Sequence, residues 1–283
     1  MDSFKSPLRY PGGKRSLYKY IATVLKNNNL VDGIYVEPYA GGSGAALELL
    51  LREFVQYIYL NDLDPRIYSF WQALLHETDD FIYLIKHVDV TLDEWNRQHL
   101  IFKEPNKYRT LELGFSTFFL NRCNRSGILG GRPIGGMNQT GRWKIDARYN
   151  KKNLIKRIET IALYRERIHI AGLDAKVFLE TIINNNNSDD KIFIYLDPPY
   201  YIMGQQLYLN NYCHNDHLEL ATFVKKLPFS WMLSYDDVPE IKKMYRKKRR
   251  RNLQVYYQAH IRKSAKELLF FSDDLNLPPN KSM

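Results

Sequence analysis

The sequence predicts an α/β fold, a doubly wound and mostly parallel sheet with a helical segment inserted into it. Three observations predict it. Short apolar runs at residues 34–36, 57–60, 168–171, 192–196 and 229–234 alternate with stretches of helical pattern. Their hydrophobicity is continuous, as expected of parallel strands covered on both faces. The first run passes through the Gly-rich turn Ala40-Gly41-Gly42-Ser43-Gly44 into a helical segment at 45–54, which is how a doubly wound sheet begins. The alternation then stops after Asp62, for longer than an ordinary connection between strand and helix allows.

In chain order, the first strand leads into Glu37-Pro38-Tyr39 and the second ends at Asn61-Asp62. Asp64-Pro65 reads as the cap and first position of the next helix, since proline fits where no N–H is needed. From 76 to 150 come helices rich in aromatic residues and then the Gly-rich loop 124–136. This stretch is expected to be an inserted subdomain, 76–150, interrupting a core made of 1–75 and 151–283. Residues 151–157 look helical, as do 175–183 behind Asp174, and Asn184 to Ser188 form a polar turn. Runs at 253–260 and 268–272 are expected to close the sheet as a hairpin-like pair. Lys247-Lys248-Arg249-Arg250-Arg251 fits either a phosphate contact or a solvated turn.

Composition narrows the function classes. The 283 residues are 45% hydrophobic, enough for one large α/β domain plus an insertion. No apolar run reaches the roughly 18 residues of a membrane span, and the N-terminus has no signal-peptide pattern, so a cytoplasmic location is expected. Cys123 and Cys213 stand apart with no metal-ligand spacing, which implies neither a disulfide framework nor a metal. The net charge of +10 favours a polyanionic partner. Residues 120–157 carry ten Lys or Arg against the single acid Asp146. Part of that charge suits a solvated helix face, but the arginines in Gly-rich sequence suit a phosphate-contacting loop.

The chemistry centres on Asp197-Pro198-Pro199-Tyr200, directly after the apolar run 192–196. Asp197 and the Pro198 carbonyl can each accept a hydrogen bond from an exocyclic amine, and Tyr200 can stack on the base that carries it. The prolines fix the backbone beforehand. That arrangement points to amine methylation. The Gly-rich turn lets the backbone approach a nucleotide, although Leu47 stands where a dinucleotide fingerprint wants a small residue. Asp62 follows Gly42 at about the twenty-residue interval at which an acid reaches ribose hydroxyls. Asp64 is the weaker substitute. Gly12-Gly13-Lys14 before a helix suits a carboxylate or phosphate. Together these fit a cofactor with an adenosine and an amino-acid tail, S-adenosylmethionine.

The set Arg9-Tyr10-Pro11-Gly12-Gly13-Lys14, Glu37-Pro38-Tyr39-Ala40-Gly41-Gly42, Asn61-Asp62, Asn121-Arg122 and Asp197-Pro198-Pro199-Tyr200 resembles the alpha group of N6-adenine DNA methyltransferases, the Dam-like enzymes. The resemblance implies the Rossmann-like methyltransferase fold and transfer of a methyl group from S-adenosylmethionine to a flipped adenine in double-stranded DNA. It implies Asp197, Pro198, Pro199 and Tyr200 as catalytic. For the cofactor it implies Tyr10, Lys14, Glu37, Gly41, Gly42, Asp62 and Asp197, while Asp174 faces either the cofactor's adenine or the start of a helix. For DNA it implies Arg9, Arg122, Asn124, Arg125, Ser126 and Arg132, with Arg125 and Ser126 standing where relatives carry a wedging aromatic and an Asn. It implies no metal, and a cognate restriction endonuclease where the enzyme belongs to a restriction-modification pair. Rival readings are methylation of another amine, in RNA or protein, and a DNA-binding relative that has lost the chemistry.

Overall fold

The structure is a computed structural model that describes residues 6–9, 14–187, 189–202, 212–259 and 261–279. Tyr10, Gly12 and Gly13 therefore lie outside the described residues. The chain divides into two units: Lys14–Asp62 with Arg167–Met283, and Met1–Gly13 with Leu63–Glu166.

The first unit holds a seven-stranded sheet. Its strands are β1 (Gly33–Glu37), β2 (Val55–Asn61), β3 (Ile168–Ala171), β4 (Ile192–Leu196), β5 (Ser230–Asp236), β6 (Arg249–Ala259) and β7 (Ile261–Phe271). The order is β3-β2-β1-β4-β5-β7-β6. The first five strands run parallel, and β7 pairs antiparallel with both β5 and β6. All five residues of β4 are buried, which is why its sequence shows no alternation. A Cβ on Gly33 would lie 2.1 Å from the carbonyl oxygen of Lys191, so glycine alone lets β1 start beside β4. The order in which strands are added reverses at β1, which pairs in parallel with β2 on one side and β4 on the other. The carboxyl ends of strands at such a switch point are where doubly wound sheets bind ligands.

The late hairpin starts earlier than its apolar runs suggest. Three of the five residues in the basic run 247–251 lie in β6. The Arg249 guanidinium donates to the carbonyls of Ser272, Asp273 and Leu275, and Arg251 donates to the Tyr20 hydroxyl. These two arginines fasten the sheet edge.

The second unit is helical: Pro65–His76, Thr78–His87, Leu92–Lys103, Thr110–Cys123 and Lys151–Ala162. It is wider than the expected 76–150. Helices 65–76 and 151–162 bury apolar faces within it, through Ile67, Phe70 and Leu74 on one and Leu154, Ile158 and Ile161 on the other. Asp64, Thr91 and Asn150 cap their helices by accepting from Arg66, Glu94 and Asn153 amides. Helix Thr110–Cys123 runs through the middle, with every residue from Leu113 onward buried. It approaches helix Pro65–His76 closely because a Cβ on Gly114 would meet the Ser69 carbonyl at 2.5 Å. Phe70 and Phe118 stack across that contact at 6.2 Å. Among the described residues no helix is long and apolar enough to cross a membrane.

Candidate active site

Asp197 follows β4 at the carboxyl end of the sheet, and each of its oxygens is held. Oδ1 accepts from the Ser234 hydroxyl on β5 at 2.6 Å, and Oδ2 pairs with the Lys14 ammonium at 3.0 Å. Tyr195, two residues earlier on β4, places its hydroxyl 2.9 Å from Ser234 Oγ. The Lys14 ammonium also lies 3.7 Å from Glu267 on β7, and both side chains are buried. Burial alone would depress the lysine pKa, but the two carboxylates outweigh it and the pKa stands above the ordinary value. The Lys14 Nζ lies 5.1 Å from the centroid of the Tyr200 ring, which packs against Tyr235. Asp236 accepts from the amides of Tyr201 and Ile202, fixing the chain just beyond Tyr200.

Tyr200 is only 9% exposed and packs with the apolar core.

The turn after β1 is equally braced. Gly41 sits at φ +47, in the left-handed region glycine reaches without strain, and its amide donates to Asp62 Oδ2 at 2.9 Å. The expected ribose acid thus also fixes the turn that would receive the cofactor. Asn61 donates to the carbonyls of Pro38 and Leu173 and accepts from the Leu173 amide, tying the ends of β1, β2 and β3 together. Glu37, at the end of β1, is 4% exposed and takes a hydrogen bond from the Tyr35 hydroxyl. Burial lifts its carboxyl to about 8, opposed by bonds from Tyr35, Ser43 and Ala46 and aided by the Asp197 charge. A Cβ on Gly44 would lie 3.0 Å from Arg15 Cβ, so this glycine admits the turn that carries Lys14. Arg15 and Arg52 both pair with the buried Glu48 on helix Gly44–Leu51, locking that packing. Asp174 is a helix cap: its carboxylate accepts from the Lys176 and Val177 amides.

The basic loop divides into braces and exposed charges. Arg122, expected on phosphate, is buried, with Nε and Nη2 donating to the Arg148 carbonyl and Nη1 to that of Pro7. Burial and the nearby Arg9 and Arg157 lower its pKa. Asn124, expected on DNA, is also buried. It accepts from the Trp95 indole and donates to the carbonyls of Ile128 and Leu129. Both are corrected to loop supports, because their donors are spent on backbone carbonyls that would otherwise be unpaired. Asn121 grips the backbone of Arg9 on both sides, and Arg9 Nη1 donates to the Asn124 carbonyl. A Cβ on Gly127 would strike the Arg9 carbonyl at 2.2 Å. Arg125 and Arg132 are exposed, and Ser126 between them sits at φ +55, half-buried.

Sequence reasoning missed Ser234, Asp236 and Glu267. The first two close the fifth strand at the same sheet end as Asp62 and Asp197, which was a usable signal. Glu267 is the polar residue ahead of an apolar run. It faces Asp236 across the antiparallel pair, a register that only the fold supplies.

Residues 10–263 match the family described as D12 class N6 adenine-specific DNA methyltransferase. The chain is 26% identical over 210 residues to the modification methylase StsI of Streptococcus sanguinis, covering 70% of this chain and 29% of that protein. It is 22% identical over 240 residues to the type II methyltransferase M.MjaIII of Methanocaldococcus jannaschii, covering 78% and 79%. The chain thus spans under a third of the first relative and most of the second. Among solved structures, PH1948 from Pyrococcus horikoshii aligns over 96% of this chain and 92% of its own at 9% identity and a TM-score of 0.43, too loose a likeness to argue from.

Two outcomes follow from the geometry. A carboxyl whose pKa is raised on folding stays protonated in the native state after the unfolded chain has ionised. Its contribution to stability is therefore complete below about 4.5 and is lost as the pH rises to about 8. Glu37→Gln, which keeps the neutral shape, should flatten the fall in thermal stability across that window, and an unchanged pH profile would refute the buried protonated carboxyl. Arg122→Ala should cost about 3 kcal/mol in denaturant unfolding, the scale of bonds made by a charged donor. The salt slope of DNA binding should stay as it was. A lowered slope at unchanged stability would return Arg122 to the phosphates.

Proposed function

The chain belongs to the D12 class of N6 adenine-specific DNA methyltransferases, and from that premise we propose that it transfers a methyl group from S-adenosylmethionine to N6 of an adenine flipped out of double-stranded DNA at a specific site. The observation that carries the proposal is the Asp197 carboxylate, fixed by Lys14 and Ser234 at the carboxyl end of β4. A carboxylate has about four lone-pair sites, so one bond to each oxygen leaves capacity to accept from an amine. Asp197 is the group proposed to take the N6 amine as a catalytic residue, and the Pro198 carbonyl is its proposed second acceptor. Their fixed positions lower the reorganisation needed when the base arrives.

The donor set suits S-adenosylmethionine. Glu37, Asp62 and Asp197 come from the ends of three neighbouring strands, and Asp62 is the acceptor proposed for the cofactor's ribose hydroxyls. Asp62 and the Gly41-Gly42 backbone are the proposed hold on its nucleoside, and Lys14 borders the donor through Asp197. When bound, the cofactor supplies a methyl group on a sulfonium, whose sulfur keeps the bonding pair as the methyl leaves. Asp197 orients the amine lone pair, and no strong base is needed before attack. Flipping the base costs a few kcal/mol; exposed cations such as Arg125 and Arg132, with Arg9, are proposed to offset it on phosphates and base edges. Both curated relatives carry names of modification or type II methylases, which favours a cognate restriction endonuclease as partner.

Asp197→Ala should abolish methyl transfer while leaving DNA affinity nearly intact, because phosphate contacts lie elsewhere. Asp62→Ala should weaken cofactor binding by on the order of 2 kcal/mol. Transfer of labelled methyl to unmethylated duplex DNA and calorimetry with S-adenosylmethionine measure the two effects. Retention of more than about a tenth of turnover by Asp197→Ala would remove that residue from the centre of the reaction.

A further inference from the structure

Trp143 is an indole held out in solvent by a loop built to keep it there. It is 63% exposed, while Trp71, Trp95 and Trp231 are 0%, 6% and 1% exposed. The loop carrying it is braced on both sides. Gln139 Nε2 donates to the carbonyls of Ile134 and Gly136, its Oε1 accepts from the Ile145 amide, and the Gly141 amide donates to the Gly135 carbonyl. Gly135 sits at φ +88, where a Cβ would lie 2.9 Å from the Trp143 carbonyl oxygen. The fixed backbone keeps Trp143 outside the apolar core formed by Phe118, Phe119 and Tyr149 nearby in the same unit.

The surroundings of the ring select its partner. The guanidinium of Arg142 lies over the indole at 5.5 Å from its centroid, and Arg142, Trp143 and Lys144 are all exposed. Between residues 120 and 157 seven cations are exposed against the single acid Asp146, so an apolar protein surface of ordinary charge is a poor complement. A planar, π-faced group joined to phosphate is a good one.

We infer that Trp143 stacks on a nucleobase of bound DNA while Arg142 meets the adjoining phosphate. This rests on the DNA-methylating reading and adds a contact outside the loop 122–132 that the motif resemblance marks. Trp143 would act on binding and on the shape of the bound duplex, at a distance in sequence from the catalytic tetrapeptide. A base needs to be unstacked on one side to receive an indole, which ties this contact to opening of the duplex.

The other three tryptophans are buried, so Trp143 is its own reporter. The wild-type protein is titrated with duplex DNA and, separately, with heparin, a polyanion without bases, while tryptophan emission is followed. Trp143→Phe supplies the baseline from the buried indoles. Duplex DNA should quench the component that Trp143→Phe lacks, and heparin should leave it unchanged. Trp143→Ala should lose about tenfold in duplex affinity, equivalent to about 1.4 kcal/mol, with Trp143→Phe keeping most of it. Absent quenching, equal quenching by heparin, or unchanged affinity of Trp143→Ala would overturn the inference, as would quenching that rises with protein concentration alone. If Trp143→Ala does not fold, the wild-type titration decides. Methyl transfer measured on the same preparation separates the failures: transfer without quenching sinks only the role of Trp143, whereas no transfer to any duplex sinks the reading beneath it.

Discussion

A buried ammonium shared by two carboxylates is the interaction on which the candidate active site depends. Removing the Lys14 charge from water costs several kcal/mol unless partners replace the solvent. Asp197 and Glu267 do so, and each comes from a different strand. The arrangement therefore requires β4, β5 and β7 to lie side by side, with β7 reversed so that Glu267 sits at the same end of the sheet as Asp197. The late hairpin thereby becomes part of the candidate active site. Its second strand supplies the charge that lets Lys14 be buried, and Lys14 in turn sets the orientation of the carboxylate proposed to hold the amine.

The carboxyl groups at this sheet end would repel one another if all were charged. Burial resolves part of that conflict by keeping Glu37 protonated to about 8, so its neighbour Tyr35 and the turn at Ser43 can pack on a neutral group. Asp62 is used differently, spending one oxygen on the Gly41 amide. The same few strand ends thus carry a neutral acid, a turn-fixing acid and an ion-paired acid. These distinct states come from local partners, since all three groups share one topological position.

Much of this was legible in the chain. Continuous apolar runs located the five parallel strands, because burial on both faces removes alternation. The Gly-rich turn, Asp62 and the tetrapeptide at Asp197 could be placed at strand ends because each directly follows its apolar run in sequence. What sequence could not supply were long-range partners. Glu267 is 253 positions from Lys14 by number, and its pairing follows from sheet order. Arg122 and Asn124 misled for another reason: a basic, amide-rich loop has the same composition whether its side chains face solvent or hold up its own backbone. Gly44 similarly reads as a nucleotide glycine, while its contact with Arg15 becomes visible only when the N-terminal turn is packed. The outer limits of the helical unit were missed because helices 65–76 and 151–162 direct their apolar faces into it, a choice of partner that amphipathic patterning does not encode.

The central claim is that Glu267 acts on the reaction through Lys14. A double-mutant cycle of Lys14→Met and Glu267→Gln, read as kcat for methyl transfer to unmethylated duplex DNA, tests it most directly. Each single substitution should lower kcat, and the double variant should fall little below Lys14→Met, because a carboxylate that works by seating an ammonium has nothing to do once the ammonium is gone. Additive losses would contradict the account and give Glu267 a role of its own.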